Sequence, residues 1–274
     1  MSYRLSVVDS FTKTPFAGNP AAVCILDKPK DDRWLQQVAA EMNLAETAFL
    51  VRRSDGWDLR WMTPCVEVDL CGHATLASAH VLWADGHAKP AEELRFQTRS
   101  GLLTATQKDG LIWLDFPSTP PKEVPAPAGL AQMLGAEPKW VGQTPFDYLV
   151  ELADEATVRK LSPDFTALAR LGGRGIMVTA LGTISQSPKS AKSADSVFDF
   201  VSRFFGPAVG INEDPVTGSA HCALSPFWSA RLGRAALTGY QASARGGTVY
   251  TILAGDRVRL GGNAVMVSKV ELLV

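Results

Sequence analysis

The sequence predicts an α+β protein of two similar halves, each with short strands curled around one central helix. Three observations lead to this prediction. Short strand-like segments separated by Gly, Asp or Pro cover most of the chain. Two helical segments, Ala74–Ala84 and Ala220–Ala230, contain no Asp, Glu, Lys or Arg, and a helix that is apolar on all sides must be surrounded by protein. Both segments follow a similar Gly-containing start, at Gly72 and at Gly218, which indicates an internal duplication.

The composition is that of a folded protein with a large core. The chain has 274 residues, of which 46% are hydrophobic and 20% charged, and its net charge is −1. Without a basic cluster, nucleic acids and anionic membranes are not expected partners. No segment approaches the ~18 apolar residues of a membrane helix, and Met1–Asp9 has the alternation of a strand rather than of a signal peptide. The sequence therefore predicts a cytoplasmic protein.

The first half combines strand patterns with one amphipathic helix. Asp32–Met42 places Leu35, Val38 and Met42 at helical spacing behind acidic residues suited to a helix N-terminus. The strand-like segments of this half are Met1–Asp9, Ala21–Leu26, Thr47–Val51, Trp57–Met62, Leu94–Thr98, Leu102–Gln107 and Leu111–Phe116.

Five prolines between Phe116 and Gly129 predict a linker near the middle of the chain, since proline disfavours both sheet and helix. The second half then repeats the mixture of elements. Its strand-like segments are Asp147–Glu151, Gly175–Leu181, Ser196–Phe205, Thr238–Ser243, Thr248–Leu253 and Arg257–Leu260, and its helical ones Glu155–Leu161 and Phe165–Leu171. Pro226 is expected to kink or shorten the second central helix.

The starts of the two central helices are candidate anion sites. The first N–H groups of a helix lack intrahelical partners, and the helix dipole places partial positive charge there. Gly72 and Gly218 would let a ligand approach the backbone closely. Two such starts facing one another across a domain cleft would clamp a small carboxylated substrate. The alternative is that both glycines are ordinary tight-turn residues, and the occurrence of a matching glycine at both helix starts disfavours it.

Two carboxylates are candidates for acid/base chemistry. Glu46 lies at the mouth of an apolar strand, where partial desolvation would raise its pKa and suit it to proton transfer. Asp214 lies shortly before the second central helix and fits a helix cap and an acid/base group equally well.

Among the four histidines, His73 is the catalytic candidate because it lies beside the first helix start. His80 and His221 have the pattern of hydrogen-bonded core histidines, and His87 that of a surface residue. A hydrolase using Ser219 with Asp214 and His221 is disfavoured, because Ser219 is not in a G-x-S-x-G motif. A metal site is disfavoured too, since the histidines and carboxylates lack ligand spacing and the four cysteines lack a CxxC pair.

Four motifs resemble those of the PhzF phenazine-biosynthesis family, in the same order along the chain. They are Phe16–Val23, Met42–Phe49, Cys71–Ala79 and Glu213–His221, and Arg245-Gly246-Gly247 follows. The resemblance implies the diaminopimelate epimerase-like fold: two domains, each a barrel-like, mostly antiparallel sheet around a buried helix. The implied domains are residues 1–117, joined by the C-terminal strand 265–274, and residues 118–264.

Family members are cofactor-independent isomerases and commonly homodimers. The phenazine enzyme moves a proton on a dihydro-hydroxyanthranilate ring by acid/base chemistry at a glutamate. The resemblance therefore implies that Glu46 shuttles the proton and that His73 and Asp214 hold or protonate the substrate. The implied substrate-binding residues are Ser219 through its hydroxyl, Gly72 and Gly218 through their N–H groups, and Gly246 and Gly247 in the same cleft.

Two alternatives stay open. Related epimerases use a cysteine at each helix start, and here Cys71 precedes Gly72 while Thr217 precedes Gly218. A two-thiol racemase is therefore excluded, but Cys71 as one of two bases is not. The other alternative is a small-molecule-binding protein without catalysis. The presence of all four candidate side chains argues against it, namely those of Glu46, His73, Asp214 and Ser219.

Overall fold

The protein divides into two compact units. A computed structural model describes residues 2–182 and 198–274. The first unit contains residues 1–116 and 259–274, and the second contains residues 117–258. The C-terminal strand thus belongs to the first unit.

The described residues form strands and helices in the following order. The strands are β1 (Ser2–Ser10), β2 (Asn19–Leu26), β3 (Glu46–Arg53), β4 (Gly56–Met62), β5 (Glu67–Val68), β6 (Leu94–Thr98), β7 (Gly101–Lys108), β8 (Leu111–Pro117), β9 (Lys122–Glu123), β10 (Trp140–Gln143), β11 (Asp147–Glu151), β12 (Gly175–Leu181), β13 (Phe200–Gly206), β14 (Ile211–Asp214), β15 (Ala236–Gln241), β16 (Gly247–Ala254), β17 (Arg257–Gly262) and β18 (Ala264–Leu273). The helices are α1 (Asp32–Met42), α2 (Gly72–Ala84), α3 (Leu130–Leu134), α4 (Glu155–Lys160), α5 (Phe165–Leu168) and α6 (Gly218–Leu232), with a 3₁₀ turn at Pro207–Val209.

The sheet of the first unit is mostly antiparallel, with two parallel pairs. Strand β1 lies between β2 and β18 and is antiparallel to both. The parallel pairs are β2–β3 and β4–β6, while β3–β4, β4–β5, β6–β7 and β7–β8 are antiparallel. A parallel pair needs a crossover connection. Helix α1 provides it for β2–β3 and α2 for β4–β6.

The second unit repeats this pairing pattern. Strands β11 and β12 are parallel and joined through α4 and α5, and β13 and β15 are parallel and joined through α6. The pairs β10–β11, β12–β13, β13–β14 and β15–β16 are antiparallel. Because each pair has its counterpart in the first unit, the duplication predicted from the two helix starts extends to the strand topology.

The two central helices are buried along most of their length. In α2 the buried residues run from Gly72 to Ala79 and include Val81 and Leu82. The hydroxyls of Thr75 and Ser78 donate to backbone carbonyls one turn earlier, which satisfies these polar groups inside the core. Helix α6 packs its apolar side chains against β11, β12, β13 and β15. Within the described ranges, no helix has both the length and the apolar character that crossing a membrane requires.

Pro226 does not shorten α6, because the helix continues through it to Leu232. Proline lacks the N–H that would bond to the carbonyl of residue i−4. That carbonyl belongs to Cys222 and accepts a 3.1 Å hydrogen bond from the backbone N–H of Thr119 instead. Packing of the adjacent Phe227 and Trp228, both nearly fully buried, holds the helix together.

The proline-rich segment is not purely a linker. It contains β9, which pairs with the end of β10, and the N–H of Val124 bonds to the carbonyl of Val141. The residues between the prolines keep their N–H groups, so a short edge pairing forms there. The predicted strand Ser196–Phe205 corresponds to β13, and its residues 196 and 197 lie outside the described part of the chain.

Candidate active site

The first unit places Glu46 and His73 side by side. Glu46 is the first residue of β3, and His73 is the second residue of α2. The carboxylate Oε2 lies 3.1 Å from the imidazole Nε2, and the side chains are 13% and 5% exposed. Neither atom forms a hydrogen bond to any other residue of the described ranges. The pair is thus held out of bulk water, with the two polar atoms in close contact but not aligned as a hydrogen bond.

Two residues contact the opposite nitrogen of the His73 ring. The side-chain nitrogen of Asn19 lies 3.2 Å from Nδ1, and the Sγ of Cys71 lies 3.6 Å from it. The Ser10 hydroxyl donates a 2.8 Å hydrogen bond to the His73 carbonyl and fixes the backbone. An amide side chain donates through its nitrogen or accepts through its oxygen. By turning its amide, Asn19 can therefore partner either the neutral or the protonated imidazole.

The surroundings of His73 favour its protonated form. Burial disfavours the imidazolium, but the charges and hydrogen bonds of Cys71 and Glu46 favour it more, so the pKa of His73 lies well above its ordinary value. Burial, followed by the charge of Glu46, raises the pKa of the Cys71 thiol. The Glu46 carboxylate, whose Oε2 lies 3.1 Å from Nε2, is one of the two groups that favour the imidazolium.

Glu46, Cys71 and His73 also offer three metal-ligating atoms within 4.8 Å of one another. Glu46 Oε2 lies 3.1 Å from Nε2 of His73, and Cys71 Sγ lies 3.6 Å from Nδ1. Three titratable side chains therefore meet at this point of the first unit.

In the second unit, Asp214 and Thr217 form the turn that leads into α6. The Thr217 hydroxyl donates to the Asp214 carboxylate at 2.5 Å. Gln241 of β15 accepts from the backbone N–H of Thr217 at 2.9 Å and donates to the Asp214 carbonyl at 2.8 Å. Gln241 therefore ties this turn to the sheet, and the acid/base role of Asp214 remains a prediction.

Ser219, the second residue of α6, is held by Arg174. The Nη2 of Arg174 donates to Ser219 Oγ at 2.9 Å, and the guanidinium binds both oxygens of Asp147 at 3.0 and 2.5 Å. The Asp147 side chain is 3% exposed and that of Arg174 36%. Burial opposes the charge of Arg174, but the hydrogen bond and charge of Asp147 outweigh it and raise the pKa of Arg174. In the duplicated pattern, Ser219 occupies the helix position that His73 occupies in α2.

The two central helices begin without the caps found on other helices. Three other helices start at an Asp whose carboxylate accepts a backbone N–H: Asp31, Asp154 and Asp164. Cys71 and Thr217, the N-cap residues of α2 and α6, make no such side-chain bond. Gly72 and Gly218 are buried and lack a positive φ, so a left-handed turn does not account for them. Both helix starts are thus uncapped by their N-cap side chains, and anion binding there remains a prediction.

Gly246 lies in the turn before β16, and Gly247 is the first residue of β16. The Gly246 N–H donates to the Ser243 hydroxyl at 3.0 Å, and that hydroxyl donates to the Pro215 carbonyl at 2.7 Å. Gly246 has φ +65°, and a Cβ there would overlap the Tyr240 hydroxyl, so the turn requires glycine. These bonds link the turn to the segment before α6, while contact of either glycine with a ligand remains a prediction.

A family model described as phenazine biosynthesis-like protein, PhzC-PhzF, matches residues 8–270. The chain belongs to this family. The resemblance seen in its four sequence motifs is thereby confirmed.

Similarity to known proteins extends over all or nearly all of the chain. A protein of Halalkalibacterium halodurans described as an uncharacterized isomerase is 50% identical over 100% of both chains. The crystal structure of a PhzF family protein of Enterococcus faecalis has a TM-score of 0.91 at 42% identity, again over 100% of both chains. A probable proline racemase of Agrobacterium radiobacter has a TM-score of 0.64 at 12% identity, covering 99% of this chain and 93% of its own. The predicted epimerase-like α+β fold is therefore confirmed.

The structure groups the predicted site residues of this PhzF family member within each unit. It brings Glu46 to His73 in the first unit, and Asp214 and Ser219 to the start of α6 in the second. Sequence reasoning missed four residues that hold these groups: Asn19, Asp147, Arg174 and Gln241. Asn19 lies inside a motif that carries the family resemblance, so its signal was present. Arg174 lies in no motif, and only the fold places it beside Ser219.

The hydrolase arrangement considered for Ser219 is not formed. Its hydroxyl binds Arg174, whereas Nδ1 of His221 bonds to the Thr217 carbonyl at 2.8 Å. His221 is fully buried, as expected of a core histidine. Its ring is tilted by 38° relative to that of Phe200, with 5.9 Å between the centroids.

We expect the titration of His221 to lower the free energy of unfolding by about 3 kcal/mol when the pH falls from 6.5 to 4. Burial lowers the pKa of His221 from 6.5 to about 4. Between these values the unfolded chain binds a proton that the folded one does not, so acid favours unfolding. Urea unfolding at several pH values should show this loss in the wild type and in the exposed-site control His87→Phe, and not in His221→Phe. An unchanged pH dependence in His221→Phe would contradict the prediction.

Proposed function

We propose that this protein is a cofactor-independent isomerase that moves a proton on a small carboxylated metabolite, with Glu46 as the proton shuttle. The observation that carries the proposal is the buried contact between the Glu46 carboxylate and His73 Nε2. A carboxylate held out of bulk water beside a second titratable group is suited to general acid/base catalysis. The description of the Halalkalibacterium halodurans relative as an isomerase supports the same reaction class.

In the proposed reaction, Glu46 removes a proton from a carbon next to a carboxylate or within a conjugated system. The C–H electron pair passes into the conjugated system, and Glu46 then delivers the proton to a different carbon. The Glu46 carboxylate is thereby restored, and no atom is gained or lost. The imidazolium of His73 stabilises this carboxylate before and after the transfer.

We assign the other predicted residues to holding the substrate and its developing charge. The uncapped start of α2 at Gly72 and that of α6 at Gly218 offer backbone N–H groups to anionic oxygens. Ser219 would hydrogen-bond the substrate, and Asp214 would hold or protonate it. Gly246 and Gly247 would line the binding site. Preorganised donors of this kind often supply the largest part of catalysis.

The experiment is proton NMR in deuterium oxide on a panel of small carboxylic acids, including dihydro-hydroxyanthranilate and amino acids. Incorporation of solvent deuterium at carbon, dependent on the protein, is the expected result and would identify the substrate class. Ligands that raise the melting temperature without exchanging any proton would instead support a non-catalytic binding protein. Formation of two products with consumption of water would support a hydrolase.

A racemase with Cys71 as one base is the second candidate, because its Sγ lies 3.6 Å from His73 Nδ1. Against this stands burial, which raises the pKa of the Cys71 thiol and leaves little of the thiolate that acts as a base. We therefore expect Cys71→Ser to keep most of the exchange activity in the same NMR assay. Loss of exchange in this variant, with the melting temperature unchanged, would favour the racemase.

A homodimer and a cytoplasmic location are further proposals that rest on the family resemblance and the sequence. Light scattering coupled to size-exclusion chromatography measures the mass in solution. A mass of one chain across the working concentration range would contradict the dimer.

A further inference from the structure

The contact between Arg174 and Ser219 occupies one acceptor position of this serine and restricts the rotation of its hydroxyl. A guanidinium has five N–H donors and no acceptor. Ser219 Oγ must therefore be the acceptor in the 2.9 Å contact with Arg174. The hydroxyl hydrogen of Ser219 is left to donate elsewhere, and no other side-chain bond of Ser219 occurs within residues 2–182 and 198–274.

Arg174 itself is held in one position. Its two bonds to Asp147 form a bidentate pair, and its guanidinium carbon lies 6.0 and 5.4 Å from the ring centroids of Phe146 and Phe204. A planar guanidinium that donates two hydrogen bonds to one carboxylate and lies against two aromatic rings has little freedom to rotate. Since Asp147 balances its charge, Arg174 acts on Ser219 through the hydrogen bond rather than through net positive charge.

We infer that Arg174 is a positioning residue that turns the hydroxyl hydrogen of Ser219 towards an acceptor oxygen of the substrate. The inference rests on the proposed function, in which that oxygen belongs to the carboxylate of the substrate. Because Arg174 occupies one of the two acceptor lone pairs of Ser219 Oγ, it restricts the rotation of the hydroxyl and favours donation to the substrate.

Benzoate is a suitable probe, because it presents carboxylate oxygens and needs no turnover. Its affinity would be measured by calorimetric titration of the full chain. Ser219→Ala removes the donor. Asp147→Asn combined with Arg174→Met removes the positioning bond without leaving the buried Asp147 charge uncompensated.

We expect each of these two variants to weaken benzoate binding by about tenfold, as for the loss of one hydrogen bond to a charged group. The variant that combines all three substitutions should also lose about tenfold, because both changes remove the same interaction. A hundredfold loss in the combined variant would overturn the inference, since Arg174 would then act independently of Ser219. Unchanged affinity in the Asp147/Arg174 variant, or no benzoate binding by the wild type, would overturn it as well.

The other end of α6 provides a matched control. Arg231 is 35% exposed and lies 3.4 Å from the buried Glu151, and its guanidinium stacks on Trp140 and Phe227. Glu151→Gln combined with Arg231→Met therefore removes an arginine that pairs with a buried carboxylate and lies over aromatic rings, without a contact to Ser219. Lys139, which also pairs with Glu151, loses its partner in this variant. We expect this variant to bind benzoate like the wild type. An equal loss of benzoate affinity in the Asp147/Arg174 and Glu151/Arg231 variants would mean that the affinity depends on general packing, and would overturn the inference.

The inference and the proposed function fail separately. Glu46→Gln tests only the proton shuttle, by deuterium exchange, whereas the Ser219 and Asp147/Arg174 variants test the inference, by benzoate affinity. If the Asp147/Arg174 variant binds benzoate like the wild type, the inference fails, and the proposed function is still tested by deuterium exchange in the NMR assay. Conversely, unchanged exchange in Glu46→Gln would refute the proton shuttle without altering the benzoate result.

Discussion

Replacing Glu46 by Gln is expected to slow deuterium exchange into the substrate by about 10²–10⁴-fold, the usual contribution of a general base. Glutamine keeps the size of the side chain, and its amide oxygen can keep the contact with His73 Nε2, which lies 3.1 Å from the present carboxylate oxygen. It cannot take up the substrate proton. The loss of rate would therefore report the missing base and not a missing contact.

Glu67→Gln is the matched control for this prediction. Glu67 lies in the same unit and is 11% exposed, but its carboxylate binds Arg60 and Arg99. Exchange in Glu67→Gln should remain near the wild-type rate, and thermal unfolding should show both variants to be folded. Near-normal deuterium exchange in Glu46→Gln would contradict the assignment of Glu46 as the proton shuttle.

Gly18→Ala is expected to destabilise the first unit by about 3 kcal/mol. Gly18 has φ +66°, and a Cβ there would overlap the carbonyl oxygen of Ser10 and lie 2.8 Å from Thr12 Cγ2. The left-handed conformation costs an L-residue about 1–2 kcal/mol, and an overlap with backbone adds about 1–3 kcal/mol. Since the neighbouring Asn19 and Ser10 both bond to His73, deuterium exchange should fall as well. Chemical denaturation measures the change in the free energy of unfolding.

Gly86→Ala separates the two contributions. Gly86 has φ +76°, and no atom lies within 4 Å of the position of its Cβ. This variant should lose only the conformational part, about 1 kcal/mol. Equal losses in Gly18→Ala and Gly86→Ala would show that the close approach to Ser10 has no energetic role.

Element boundaries were predictable where one periodic pattern decided them. Helix α1 and strands β6, β11 and β12 begin and end at the residues that the sequence predicted. The prediction was wrong at Pro226 and incomplete in the proline-rich segment, because tertiary bonds outweighed local preference. Thr119 supplies the hydrogen bond that Pro226 cannot make for Cys222, and β10 supplies the pairing partner of β9.

The sequence by itself determined the burial of two charge-free helices, the duplication signalled by their starts, and the family, through motifs that are local in the chain. Only the tertiary structure decided which side chains meet. Asn19 bonds to His73 across 54 positions and Arg174 to Ser219 across 45. Periodicity reports which face of an element is buried, but it carries no information on the partner strand. Strand pairing selects that partner, and the hydrogen bonds that position His73 and Ser219 follow from it.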